Sequence, residues 1–424
     1  MWKRIRILTL LAFWAVAANA QTIRDSISLT LSQAESLFLK NNLQLLAQKY
    51  SIDSAEAGII TARLYDNPEF SFGSGFYNAS TAKFFDYSYD SKEIALQLNQ
   101  LIKTAGKRNK AISVANTGAV ITKYQFSDLI RTLSYTLRND YFNICYMLKT
   151  EQAYQIEIDA LTNTANAYQS QAAKGNIAPK DLLRIQSQLY TLQAELASLQ
   201  NTIDDVESEL KLLLRVKATA CIIPTLPVTQ DTKKITDIAY QELVDSAYRN
   251  RNDLNVSKAT LKLSEQNLAL QRAMAVPDIT LSAGYDRLGS YVKDYNSIGI
   301  SLPIPLFNRN QGNIKQAKIG VSLSKTQLDI QQDQIESQVA NAYIGAVRAE
   351  KLVQSIDPFF EKNFSRLIAE VTKNFEKHNL SILEFIDFYD AYKQNILQMN
   401  TLRYNHMSQL EQLNYYTGTR IFNK

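Results

Sequence analysis

Reactive side chains at workable spacing are scarce in this 424-residue sequence. Its two histidines, His378 and His406, stand far apart with no Cys, Asp or Glu at ligand spacing beside them. A protein metal site needs three or four converging ligands, commonly two of them a few residues apart, so no metal and no cofactor is expected. The two cysteines, Cys145 and Cys221, are too few for a disulfide scaffold or a Cys-rich zinc site. Cys145 sits in an apolar helical run and reads as a small buried hydrophobe. There is no Gly-rich phosphate loop, no nucleophile elbow and no carboxylate pair separable from helix surface charge. No catalytic residue emerges and an enzyme is not expected.

The elements that would have to position a site are unusual in length. Only 13 glycines and 8 prolines interrupt the chain, which predicts a mainly α protein with long helices. From Asp181 to Leu213 apolar residues fall at Leu182, Ile185, Leu189, Leu192, Leu196, Leu199, Ile203, Val206, Leu210 and Leu213. Steps of three and four make this a heptad seam that needs a partner helix along its length. Just before it, Gly175 can end one helix and Pro179 can open the next, so 174–181 reads as the tip of a helical hairpin. A helix running from 106 to 173 at 1.5 Å per residue would span on the order of 100 Å. A second tip falls at 377–381, followed by a helix to about Tyr416.

The chain reads as built twice. Laying Pro68 on Pro277 places Glu69-Phe70-Ser71-Phe72 on Asp278-Ile279-Thr280-Leu281. The expected division is 1–20, signal peptide; 21–217, first repeat, with a strand hairpin at 68–101; 218–234, linker with Pro224 and Pro227; and 235–424, second repeat, with a strand hairpin at 277–305. Helices are expected over Thr30–Leu64, with Ser32 and Glu35 as its capping box, and over Ile235–Ala275. A third runs to about Phe375, with an interruption at Asp357-Pro358. Laid on the second hairpin, Leu192, Ile203 and Val206 fall on Asn395, His406 and Gln409. The second seam is interrupted, so the two hairpins are expected in different environments, the second as the movable side of a gate.

The signal-peptide reading rests on Lys3, Arg4 and Arg6, the apolar run Ile7–Ala17 and the small-x-small site Ala18-Asn19-Ala20. Those three cations supply part of the net charge of +5. The remainder is close to balanced, which argues against nucleic acid. No later apolar run approaches the roughly 18 residues of a spanning helix. The strands tell differently. Phe70, Phe72 and Phe76 alternate with Ser71, Gly73 and Gly75, and Ile94, Leu96 and Leu98 with Ala95, Gln97 and Asn99. Ile279, Leu281, Ala283 and Tyr285 form the apolar side of a third strand, and Ile298, Ile300, Leu302 and Ile304 that of a fourth. Period two, about ten residues and one small polar face fit tilted strands crossing a bilayer around water. Tyr77, Tyr87, Tyr89, Tyr285, Tyr291 and Tyr295 would form an interfacial girdle. Four strands cannot close a barrel, and open edges in lipid leave backbone groups unpaired, so the membrane reading requires further copies. A small soluble sheet packed on helices is the alternative.

With its helix–strand hairpin–long helix–tip–helix plan run twice, the chain resembles an outer-membrane channel of the TolC family, nearer the CzcC-like efflux branch. Gly175-Asn176-Ile177-Ala178-Pro179-Lys180-Asp181-Leu182-Leu183 resembles the family's tip motif, and Asn379-Leu380-Ser381-Ile382-Leu383-Glu384-Phe385-Ile386-Asp387 its second copy. His378 stands where the family commonly has glycine. The resemblance implies a homotrimer, a twelve-stranded barrel in the outer membrane and a helical tunnel in the periplasm. It implies tips that dock a periplasmic adaptor, itself joined to an inner-membrane pump of RND type. The docking residues would be Gly175, Asn176, Ile177, Ala178, Asp181 and Leu182 on the first tip, and Asn379, Leu380, Ser381, Glu384 and Phe385 on the second. Glu370 and Lys373, where the family's tunnel narrows, would face the lumen. The expected function is a passive efflux conduit for small molecules or metal ions. An exit duct for type I protein secretion and a soluble periplasmic coiled-coil scaffold are the alternatives.

Overall fold

The computed structural model describes residues 26–422 apart from 80, 87, 89–92, 176, 227–233, 289–291, 358 and 378. The signal segment, Tyr87, Tyr89, Tyr291, Asn176, Pro358 and His378 therefore lie outside the described residues. In chain order the strands are β1 Ser26–Leu29, β2 Glu69–Ser74, β3 Tyr77–Asn78, β4 Lys83–Phe84, β5 Ile94–Ile102, β6 Cys221–Pro224, β7 Ile279–Asp286 and β8 Tyr295–Ser301. The helices are α1 Leu31–Asn41, α2 Leu43–Arg63, α3 Lys107–Ala172, α4 Pro179–Leu214, α5 Tyr240–Asn250, α6 Asn252–Met274, α7 Gln311–Gln354, α8 Phe360–Glu376 and α9 Ile382–Thr417. Duplication is plain in α4 and α9. Each has 36 residues, and their ends are separated by the same interval, 179 to 382 and 214 to 417.

Two helices expected as continuous are broken, and at equivalent places. Asn42 interrupts 30–64: its Oδ1 accepts from the amides of Gln44 and Leu45 at 2.9 and 3.1 Å, capping α2 as α1 ends. A short amide side chain competes with the helix for its own backbone, which is why Asn favours caps over interiors. Laying Pro68 on Pro277 puts Asn42 on Arg251, the N-cap of α6. The first helix is capped by Thr30 and Gln33, not by Ser32 and Glu35: Thr30 Oγ1 accepts from the Gln33 amide at 3.3 Å, and Gln33 Oε1 from the Thr30 amide at 2.9 Å. Glu35 is instead drawn into an ion pair, described below. The long helix of the second repeat ends at Gln354 and resumes at Phe360, around Asp357-Pro358, whereas α3 is unbroken for 66 residues.

The chain forms two compact units. One comprises the described residues up to Leu46, those of Ile130–Asn250 and those from Ser337 onward. In it, β1 and β6 pair in parallel, Ser26 to Cys221 through Leu29 to Pro224. Part of the segment 218–234 is thus a strand, because Ile222 is buried and its amide is bound by the buried Glu207 carboxylate. Tyr141 Oη lies 2.9 Å from the Leu29 carbonyl and 2.6 Å from that of Thr225, fixing both strands to α3. Arg138, buried on α3, clasps Glu411 of α9 with two bonds of 2.7 and 2.8 Å and reaches Glu35 of α1 at 2.7 Å. Such fork-shaped pairing fixes orientation as well as charge. Cys145 is buried, and burial pushes its thiol up to about 12, as suits an inert packing residue.

The other unit comprises Ala47–Leu129 and Arg251–Glu336. It holds a four-stranded antiparallel sheet in the order β2-β5-β7-β8, with a short β3–β4 ribbon beyond it. The junctions leading into the sheet are tied. Lys107 Nζ, almost fully buried, donates to Asp278 at 2.7 Å and to the Val276 carbonyl at 2.6 Å, and the Thr104 amide donates to Asp278 at 2.8 Å.

Candidate functional site: a two-faced sheet and a pair of helical tips

Directly paired residues of an antiparallel ladder share a face. The register Phe70–Leu98, Phe72–Leu96, Leu98–Ala283, Leu96–Tyr285, Leu281–Ile300 and Ala283–Ile298 therefore gathers the apolar residues on one side. Ser71–Gln97, Gln97–Gly284, Asn99–Ser282, Ser282–Gly299 and Gly284–Ser297 fill the other with small and polar groups. The apolar side is bare in the single chain: Phe70 is 66% exposed, Ile300 74% and Ile298 91%. A large bare apolar patch marks a surface that something covers. On the polar side the strands approach closely at glycine. A Cβ on Gly299 would meet Ser282 Oγ at 2.5 Å, and one on Gly284 would meet Ser297 Oγ at 2.8 Å. The outer edges of β2 and β8 pair with no strand among the described residues.

The tips lie in the first unit. At the first, Gly175 adopts φ +77°, a left-handed conformation that glycine takes without a steric penalty, and Pro179 opens α4. At the second, Ser381 and Glu384 form a capping box. Glu384 Oε2 accepts from the Ser381 amide at 2.8 Å, and Ser381 Oγ accepts from the Glu384 amide at 3.3 Å. The Ser381 amide, together with the Ser381 hydroxyl 2.8 Å from the same oxygen, holds the Glu384 carboxyl below the usual carboxylate range. Behind both tips, α3, α4, α8 and α9 share one core that includes Tyr154, Leu161, Ile185, Leu192, Phe375 and Phe385. No residue of the ten-member α4 seam is exposed. The aromatic stack runs from Tyr168 to Phe375 (5.8 Å between centroids), Phe385 (4.2 Å) and Tyr389 (4.8 Å).

The sequence-predicted tip residues divide into outward and inward. Gly175, Ala178, Asn379, Ser381 and Glu384 are exposed; Ile177, Asp181, Leu182 and Leu380 are half-buried. Phe385 is fully buried against Phe375, so it supports the tip and presents no surface to a partner. Leu183, 64% exposed, and Leu383, 53% exposed, are the apolar groups that face out. The off-seam position of Leu183, one residue past Leu182, carried that signal. Glu370 and Lys373 are exposed on α8, with Glu370 4.0 Å from Arg366. Sequence reasoning missed Lys393, only 2% exposed, which bonds Glu195 of α4 and Asp390 at 3.0 Å each. Its spacing from Tyr389 and Ile396 put it on the buried stripe of α9. Among the described residues no cluster of His, Cys, Asp and Glu could hold a metal ion. No described helix is long and apolar enough to cross a membrane.

The family model described as "Outer membrane efflux protein" matches residues 35–214 and 243–355, more than half of the chain. The chain belongs to that family. Among curated proteins it is similar to the cobalt-zinc-cadmium resistance protein CzcC of Cupriavidus metallidurans. The two are 23% identical over 297 residues, 68% of this chain and 66% of that protein, just under two thirds of its length. Among solved structures it is similar to the CmeC outer membrane channel of Campylobacter jejuni: TM-score 0.75, 14% identity, 92% of this chain and 86% of that one. It is likewise similar to the open state of the MtrE outer membrane channel of Neisseria gonorrhoeae, with TM-score 0.69, 15% identity, and 92% and 89% covered. At such identities the likeness is one of fold: mostly helical with few strands, as in outer membrane efflux channels. Members of this family are transport channels rather than enzymes.

Proposed function

We propose that the chain is the outer-membrane conduit of a tripartite efflux system, acting as a homotrimer with a periplasmic adaptor and an inner-membrane pump of RND type. The single observation that carries this is the two-faced sheet, whose outer edges pair with no strand among the described residues. An edge exposed to lipid leaves backbone groups unsatisfied at several kcal/mol each, so the sheet is complete only when copies join edge to edge. Three copies of four strands make a twelve-stranded barrel. Its outer band would be Phe70, Phe72, Leu98, Ile298 and Ile300, and its lumen Ser71, Gln97, Ser282 and Ser297. The chain enters that membrane by way of the signal peptide read at 1–20.

The tips serve adaptor docking. Gly175, Ala178, Leu183, Ser381 and Leu383 form the contact surface, with Ile177, Asp181, Leu182, Asn379, Leu380 and Glu384 shaping it. Glu370 and Lys373 line the tunnel near its narrow end. Divalent metal ions are the favoured cargo, because the relative CzcC is named for cobalt, zinc and cadmium resistance. A conduit needs no resident metal site to pass ions. The test is complementation: cells lacking their own outer-membrane channel, but holding the cognate adaptor and pump, regain metal tolerance with this chain. Unchanged tolerance, with the chain present in the outer membrane, would reject the reading.

A further inference from the structure

Glu157 stands on the buried stripe of α3, between Tyr154 and Leu161, and is 0% exposed. Neither carboxylate oxygen has a hydrogen-bond partner. A buried ionised carboxylate without partners is strongly disfavoured and holds its proton instead. The charged and titratable groups acting on it come from three helices. Tyr154 shares its own helix, Glu195 comes from α4, and Asp390 and Lys393 come from α9. From α8 the same core receives Ile368, Val371 and Phe375, all apolar.

Lys393 is already committed to Glu195 and Asp390 at 3.0 Å each, with its ammonium 5.6 Å from the Tyr154 ring centre. One cation thus faces two carboxylates at the join between the hairpins α3–α4 and α8–α9. With Glu157 neutral the cluster carries one net negative charge; with Glu157 ionised it carries two, the second on oxygens that nothing binds. We propose that Glu157 is a proton-operated latch of the helical tips: protonated, it lets the two hairpins stay packed around Lys393, and ionised, it loosens that join and admits water.

Burial pushes the Glu157 carboxyl up to about 7, against the pull of Lys393 and with the push of Asp390 and Glu195. The folded state therefore keeps a proton that the unfolded chain gives up at lower pH. Stability of the join is greatest in acid and declines as pH rises toward neutrality. The latch stands on the packing alone; only its effect on conduction rests on the channel reading above.

The test is hydrogen exchange on the full chain in detergent, corrected for intrinsic exchange, at about pH 5.5 and about pH 8. Protection in 154–161 and 389–396 should fall roughly thirtyfold at the higher pH, since each pH unit between the ordinary glutamate range and about 7 costs a factor of ten and about one and a half such units lie above pH 5.5. In Glu157→Gln, and in Glu157→Met as a second neutral variant, the fall should vanish. An infrared band of protonated carboxyl should be present at the lower pH in the native chain and smaller in both variants by the share of Glu157, the remainder belonging to the buried Asp140 of α3. A native chain without the pH-dependent fall, variants that keep it, or a carboxyl band that both variants leave unchanged would each overturn the latch. Conductance measured separately reports on the channel reading, so the two fail independently.

Discussion

Replacing Phe385 by alanine separates a supporting residue from a docking residue. Phe385 is fully buried, 4.2 Å from the Phe375 ring and 4.8 Å from that of Tyr389. Removing a buried phenylalanine costs about 3–5 kcal/mol in lost transfer energy and residual cavity. At about 1.4 kcal/mol per factor of ten, protection against local opening of the tips should fall roughly a hundred- to several-thousand-fold. Leu383, nearby but 53% exposed, has little packing to lose. Leu383→Ala should change protection by less than about 0.5 kcal/mol while weakening adaptor binding. The assay is hydrogen exchange over 368–375 and 385–393, paired with adaptor binding to the same preparations. If Phe385→Ala left protection intact, the buried aromatic stack would not be what holds the tips. If Leu383→Ala left adaptor binding intact, the outward apolar residues would not be the contact.

Three further outcomes follow from the same geometry. Ile298→Arg puts a charge on the apolar face at a cost of about 2–4 kcal/mol in mid-bilayer. Membrane-inserted oligomer should drop, whereas Ser71→Arg on the opposite face should assemble and alter ion selectivity; equal effects would contradict the assigned faces. Lys107→Met leaves Asp278 without its buried ammonium, a loss of about 3 kcal/mol. The thermal midpoint in detergent should fall, and an unchanged midpoint would remove this tie from the account. Asp140 is buried with one unpartnered oxygen, and burial, with Glu209 adding to it, pushes its carboxyl up to about 7. The folded state holds that proton between the ordinary aspartate range and about 7, so stability should decline as pH rises through this window. Asp140→Asn should make the decline shallower, with Glu157 keeping its own share, and an unaltered profile would remove Asp140 from it.

Periodicity made much of this fold legible. The α4 seam, the two-faced strands and the Gly175–Pro179 tip are local patterns whose period dictates the element. The helix breaks at Asn42 and Arg251 were not legible: the first depends on capping bonds that a helical pattern does not reveal, and at the second Arg251 caps α6 with no side-chain capping bond and carries no residue-type signal. The strand at Cys221–Pro224 escaped for a different reason: its partner, Ser26–Leu29, is remote in sequence, and strand pairing is set by tertiary context. At the tips the sequence located the surface but not its direction. Phe385 lies on the same turn as Leu383, and only the packing of Phe375 and Tyr389 decides which faces inward. Lys393 and Glu157 stood at core-facing spacing, yet their charge read as surface until burial was seen.

The central claim is that edge strands of separate copies complete a water-filled barrel. Cysteines placed on β2 at Phe72 and on β8 at Ile300 of otherwise native chains, oxidised in the membrane, test it directly. The account predicts crosslinks between copies that run as a closed trimer, and the purified trimer should open stable conductance steps in a planar bilayer. A chain that remains monomeric under oxidation, or a trimer that conducts nothing, would contradict it.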